Sequence, residues 1–340
     1  MRFTEDKKKA IQRYILEKVE QKATSVSKSV AENFEVNPST VHAYLNELTD
    51  KGIIRKIKRD EYELVVDEYT YNLKRSSGDL DSDTYAYEAC LREHIKGYDA
   101  NVQRIWNYCF SEMINNVMDH SMAENVEIVV RQNFLSTAVW ICDNGIGIFE
   151  KIRSYFDFES IDVAICELFK GKLTTDAKNH SGEGIFFSSR LMDDFVIVSS
   201  GRVFSNNRYD ESKIENCSLE CTAGTLVYME LSNYSRKTAK DVFDMYASVD
   251  GGFVKTSIPL KNVFDDAPIS RSQAKRICNS LEKFSEVILD FTGISWMGQG
   301  FAHQVFVVFQ GNHPKIKLTP ICMNEDVTRM YNHVMTDVRQ

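Results

Sequence analysis

The chain has 340 residues, 43% of them apolar and 26% charged, an ordinary balance for globular protein with room for two or three cores. No run approaches the roughly 18 apolar residues of a membrane span, and the opening Met1-Arg2-Phe3-Thr4-Glu5-Asp6 has no signal-peptide core. A cytoplasmic protein without membrane contact is therefore expected. The net charge of −8 is uneven: residues 1–66 hold 13 Lys+Arg against 11 Asp+Glu, a net +2, and the rest carries −10. Any nucleic-acid contact is thereby confined to the N-terminal part. The eight cysteines are scattered, and only Cys217 and Cys221 lie close together, without a second pair or a nearby His to complete a zinc site. They read as reduced, mostly packed thiols.

Residues 7–21 predict an amphipathic helix, with Ile11, Ile15 and Val19 four apart and Leu16 beside them. A second, capped helix over 25–34 follows. A turn at Val36-Asn37-Pro38 comes next, and then a helix opened by Asn37 or Ser39 and running to about Asp50. Two short β-like runs, 53–58 and 62–65, flank the charged bend Arg59-Asp60-Glu61. Residues 67–84 lose periodicity and gain Ser, Gly and Asp, which reads as a linker or exposed connector.

From residue 84 a helical pattern resumes, and a longer one starts near Val102. In it Trp106, Phe110, Met113 and Val117 share one face, while Glu112, Asn116 and Asp119 share the other. One face packs and one presents oxygens. The apolar run from Val139 ends in Asp143-Asn144-Gly145-Ile146-Gly147-Ile148. An acid at a strand end can accept a hydrogen bond from an exocyclic amine, and adjacent glycines let a flat ring approach the backbone. Residues 149–180 read as a connection with a polar, glycine-flanked loop suited to closing over a ligand. Gly182-Glu183-Gly184-Ile185-Phe186 then opens a helix, offering backbone N–H groups to phosphate. Strands at 194–199 and 225–231 bracket a polar insert around 206–215. After a break at 247–252, strand, helix, strand, helix, strand and helix follow over 253–258, 270–284, 286–291, 300–309, 315–323 and 324–334. That alternation implies an α/β layer.

Four signals in this order resemble the GHKL (Bergerat-fold) ATPases, the superfamily of gyrase B and the histidine kinases. Glu112 and Asn116 match the N box, Asp143-x-Gly145-x-Gly147 the first glycine box, Gly182-x-Gly184 the second, and Gly224-Thr225 the strand closing the adenine pocket. Val117 stands where Ala is usual and Ile185 where Leu is common. The resemblance implies bound ATP and Mg²⁺, with Asn116 on the metal and Glu112 as catalytic base. Asp143 would read adenine and Thr225 would support the base. Asp119, Gly145, Gly147, Ile148, Thr174, Gly182, Glu183, Gly184, Ile185 and Phe186 complete the expected nucleotide site. For His120, a helix-end packing residue is the plainer reading.

Ser39-Thr40-Val41-His42-Ala43 through Lys51-Gly52-Ile53-Ile54 resembles the recognition helix and wing of a winged helix-turn-helix. That implies double-stranded DNA read by Ser39, Thr40, His42 and Ala43, with Lys56, Lys58 and Arg59 on phosphates. Val287-Ile288-Leu289-Asp290 through Gly300-Phe301-Ala302 resembles a STAS-like domain, implying a protein partner or homodimer contact.

The expected class is thus multidomain α+β. It comprises a winged helix (1–68), a linker (69–83), a GHKL α/β sandwich with a mixed sheet and helices on one face (84–236), and a STAS-like α/β domain (250–337). The expected function is a nucleotide-controlled DNA-binding regulator with slow ATP hydrolysis. The alternative is a protein serine kinase of the anti-sigma-factor type acting on a separate STAS partner.

Overall fold

In a computed structural model, the structure describes residues 4–58, 60–173, 182–207, 209–215, 221, 223–248, 252–264 and 267–337. The chain opens with α1 (Glu5–Glu20), where the Thr4 side chain accepts from the Lys7 N–H, then α2 (Val26–Phe34) and α3 (Pro38–Asp50). Asn37 caps α3 by accepting from the Ser39 N–H, with Pro38 at the first helical position, where no N–H is needed. Ser25 adopts a left-handed conformation and makes no side-chain cap, unlike the expectation for the second helix. β1 (Ile54–Lys58) and β2 (Glu61–Leu64) form an antiparallel hairpin. Ile11, Ile15, Leu16, Val30, Val41, Leu45 and Leu48 form the core of this head, which also takes in Leu135 from the body.

The expected linker is corrected by β3 (Asp67–Lys74), which pairs along its whole length with β4 (Asn125–Gln132). Its period-2 signal, Tyr69, Tyr71 and Leu73, is diluted by polar residues because β3 is a sheet edge, and solvated edges tolerate charge. The described chain continues through α4 (Asp83–Cys90), α5 (Arg92–Ile95), α6 (Ala100–Asn116), β5 (Ser136–Asp143), α7 (Ile148–Tyr155), α8 (Ile161–Lys170) and α9 (Gly184–Leu191). It then forms β6 (Asp194–Ser199), β7 (Arg202–Ser205), α10 (Ser212–Glu215), β8 (Thr225–Ser232) and α11 (Ala239–Tyr246).

The strand order is β3-β4-β5-β8-β6-β7, and every described ladder in this sheet is antiparallel. The expectation of a mixed sheet is corrected: β8 enters between β5 and β6 and runs against both. Trp106, Phe110, Met113 and Ile114 of α6 are buried in the core on one side of this sheet. The opposite face carries Val129, Ala138, Trp140, Val196, Leu226 and Tyr228, with Tyr209 and Ile214 of the polar insert packed against them.

A second, three-stranded parallel sheet follows, ordered β11-β10-β9 from β9 (Lys255–Pro259), β10 (Glu286–Asp290) and β11 (Lys317–Ile321). Around it lie α12 (Leu260–Val263), α13 (Arg271–Cys278), α14 (Gln299–His303), α15 (Gln310–Asn312) and α16 (Glu325–Asp337), with a π turn at Gln304–Phe309 joining α14 to α15. Ser270 and Gln273 form a reciprocal capping box at α13. The mixed α/β class is as expected. One continuous set of buried side chains runs from Leu73 to Val334, through both sheets.

The seam between the sheets is polar at one point. Lys170, at the end of α8, is fully buried beside Glu167, 2.6 Å away. Its ammonium also donates to the carbonyls of Arg276 (2.9 Å) and Asn279 (2.7 Å) at the end of α13, where the helix dipole favours a cation. The Asn279 amide returns a hydrogen bond to Glu167 at 3.0 Å. Removing the lysine strands a buried carboxylate and two carbonyls. Lys170→Met is therefore expected to lower stability by about 3–5 kcal/mol, read as a lower denaturant midpoint. Adding Glu167→Leu should recover part of the loss. A midpoint within error of wild type would show that the clamp contributes nothing.

Candidate functional site

The sheet face under α6 floors a cavity of about 230 Å³. Its lining brings together Glu112, Asn116, Asp143, Gly147, Ile148, Gly182, Gly184, Ile185, Phe186 and Thr225, all singled out from sequence. The register of β5 on β8 sets Asp143 directly opposite Thr225, although they lie far apart in the chain. Asp143 is 3% exposed. Burial pushes its carboxyl above the usual carboxylate range, and hydrogen bonds from the Gly145 N–H (2.8 Å) and from Thr225 hold that rise in check. The Thr225 hydroxyl oxygen accepts from the Ile148 N–H at 3.0 Å, fastening the first turn of α7 to the start of β8.

Glycine is required at two places. Gly224 has φ +79°, and a side chain there would overlap the Asp143 carbonyl. At Gly184, which opens α9, an added Cβ would strike the Glu112 carboxylate. The Glu112 side chain therefore sits against the N-terminal end of a helix, where negative charge is favoured. Across the gap in the described chain, the Leu173 N–H donates to the Gly182 carbonyl at 3.2 Å, so residues 173 and 182 meet at the cavity wall.

The described lining does not include Asp119, Gly145 or Glu183. Asp119 is exposed, and Gly145 packs beneath the Asp143 turn against the Ser121 carbonyl. Thr174 lies outside the described residues.

Sequence reasoning missed Lys151, Ser121, Leu168 and Leu173, and undervalued His120; all five line the cavity. A signal was present for two of them. His120 is four residues after Asn116, and Lys151 follows Ile148 by three on the face that also carries Ile152. A π turn at Val117–Ser121 extends α6, and Lys151 Nζ donates to the His120 carbonyl in that turn at 2.8 Å. Burial lowers the Lys151 ammonium, opposed by Asp119. The lining thus combines a buried carboxylate, an amide, a lysine and exposed backbone at a helix start, a donor set suited to a polar, anionic ligand.

No group of three or more His, Cys, Asp or Glu placed to hold a metal exists among the described residues. Asn116 adds a side-chain amide oxygen to the cavity lining. Of the cysteines, Cys142 and Cys221 form a disulfide across 79 residues, correcting the expectation of reduced thiols throughout. Cys217 lies outside the described residues.

On the head, Ser39, His42 and Ala43 are exposed on α3 and Thr40 is half-buried. Lys56 and Lys58 are exposed on β1, but Lys58 pairs with Glu61 at 2.8 Å and Arg55 pairs with Glu63. Arg59 lies outside the described residues. No described helix is long and apolar enough to cross a membrane.

The model of a family described as STAS-like domain of unknown function (DUF4325) matches residues 273–328. This stretch covers most of α13, then β10, α14, α15, β11 and the start of α16, so the C-terminal α/β unit is STAS-like. No curated protein matches the chain.

The two tight glycines should behave differently. Gly224→Ala meets backbone in a left-handed conformation and should cost about 2–4 kcal/mol. Gly184→Ala meets only a side-chain end and should leave the melting temperature within a few degrees while displacing Glu112. Thermal melts of both variants check this. Equal losses would mean that Glu112 is rigidly held.

Proposed function

We propose that this chain is a GHKL-type ATP·Mg²⁺-binding protein whose nucleotide state controls a DNA-binding winged helix. The observation that carries the reading is the meeting of Asp143, Thr225, Asn116, Glu112 and the 182–184 turn in one cavity. Asp143 is the acceptor for the adenine amino group, and the Thr225 hydroxyl supports it. The N–H groups at the start of α9 and the Lys151 ammonium face the phosphates. Asn116 would supply one oxygen to Mg²⁺, and the ion, when bound, would neutralise charge on the phosphates. Glu112, one turn before Asn116, orients a water and accepts its proton, a role compatible with slow hydrolysis.

The kinase alternative is weaker for this chain's own STAS-like unit. The stretch Met297-Gly298-Gln299-Gly300-Phe301, at the entry to α14, has no hydroxyl to accept a phosphoryl group.

Millimolar ATP with Mg²⁺ should raise the melting temperature, because a ligand of the native state stabilises it. Asp143→Asn and Asn116→Ala should abolish the shift while folding normally. Glu112→Ala should retain it and lose turnover, since its role lies in the chemical step. An unchanged wild-type melting temperature sinks the nucleotide reading.

The full protein should bind duplex DNA weakly, with affinity falling steeply as salt rises. Lys56→Glu with Lys58→Glu should remove the binding. Absence of binding in low salt would reassign the head as a protein-docking module, a role that the +2 charge of residues 1–66 also suits.

A further inference from the structure

We propose that Cys142 and Cys221 form a thiol–disulfide exchange site, taking small-molecule disulfides as co-substrate, that sets the nucleotide affinity of the cavity; this rests on the nucleotide reading above. Strand alternation puts Cys142 and Asp143 on opposite faces of β5. Asp143 lines the cavity, and Cys142 packs with Trp140 and Tyr228 in the outer cluster. Cys221 joins that cluster three residues before Gly224, the residue in backbone contact with Asp143. The disulfide therefore ties the lead-in of β8 to the penultimate residue of β5.

What it secures is the last rung of a ladder. Asp143 and Thr225 form the terminal pair of the β5–β8 register, and ladder ends open at low free energy. With the bond closed, the two base-reading side chains stay in register. With it open, each opening of that rung separates them and must be reversed before a base can bind.

The buried thiols among the described residues are poor competitors. Cys90, Cys109, Cys166 and Cys278 are buried, and burial pushes Cys90, Cys109 and Cys278 up to about 12. Cys142 and Cys221 are only half-buried, and Cys322 is exposed. In the forward direction one thiolate attacks a small disulfide RSSR, forming a mixed disulfide and releasing RSH after proton uptake. The second thiolate displaces the remaining RS group, so two thiols and RSSR give the protein disulfide and two RSH.

The test uses the full chain carrying Cys217→Ser and Cys322→Ser, equilibrated with oxidised glutathione or reduced with a phosphine. Peptide mass spectrometry maps the bond, and titration measures ATP·Mg²⁺ affinity in each state. Oxidised glutathione should yield the Cys142–Cys221 cross-linked peptide. Reduction should weaken ATP binding roughly five- to ten-fold through lost pre-organisation. Cys221→Ser and, separately, Cys142→Ser should match the reduced protein under both conditions. Equal affinity in the two states, or no cross-linked peptide, overturns the proposal. Loss of ATP binding in both states overturns the nucleotide reading itself and this proposal with it.

Discussion

The antiparallel register of β5 on β8 is the constraint on which the site depends. It brings Asp143 and Thr225 face to face and leaves no room for a side chain at Gly224. A carboxylate that is 3% exposed carries a desolvation cost, which the Gly145 N–H and Thr225 offset. Because a carboxylate offers about four acceptor sites, the Gly145 N–H and the backbone and side-chain donors of Thr225 do not exhaust its capacity. Thr225 at the same time accepts from Ile148, so the start of α7 is placed by the same rung. One slip of register would turn Asp143 to the outer face and dissolve all three relationships.

What could be read from the chain follows what is local. The two faces of α6, the Asp-x-Gly-x-Gly turn and the Gly-x-Gly helix start are patterns within a few residues, and the cavity contains members of each. The C-terminal α/β layer was legible because its strands alternate with helices in sequence order, and the STAS-like resemblance of Val287 to Ala302 lies within the family match to residues 273–328. β3 was not, because an edge strand needs only Tyr71 and Leu73 to face inward and is free to be polar elsewhere. The Cys142–Cys221 bond spans 79 residues and depends on tertiary contact between β5 and the approach to β8, which no spacing rule encodes. Lys151 was passed over because a lysine on a short amphipathic helix is usually a solvated one.

Continuity of the core limits what a bound nucleotide could move. α8 and α9 flank the cavity, and both are fastened to the C-terminal sheet. Thr256 donates to the Lys170 carbonyl at 2.8 Å, Arg190 donates to the Ser257 carbonyl at 2.8 Å, and Lys172 lies over Phe253 and Phe284. Shifting the STAS-like unit as a body would break this seam together with the buried Lys170–Glu167 pair, at a cost comparable to a domain's whole stability. The head is attached differently. It has its own core, into which the body inserts Leu135, and α1 adds an Arg13 guanidinium over the Tyr234 ring. Because its core is separate from the one that runs from Leu73 to Val334, displacing it leaves that core intact. Under the proposed function, a nucleotide signal would therefore be expressed by repositioning the winged helix, while the STAS-like unit acts as the rigid wall against which α8 and α9 are held.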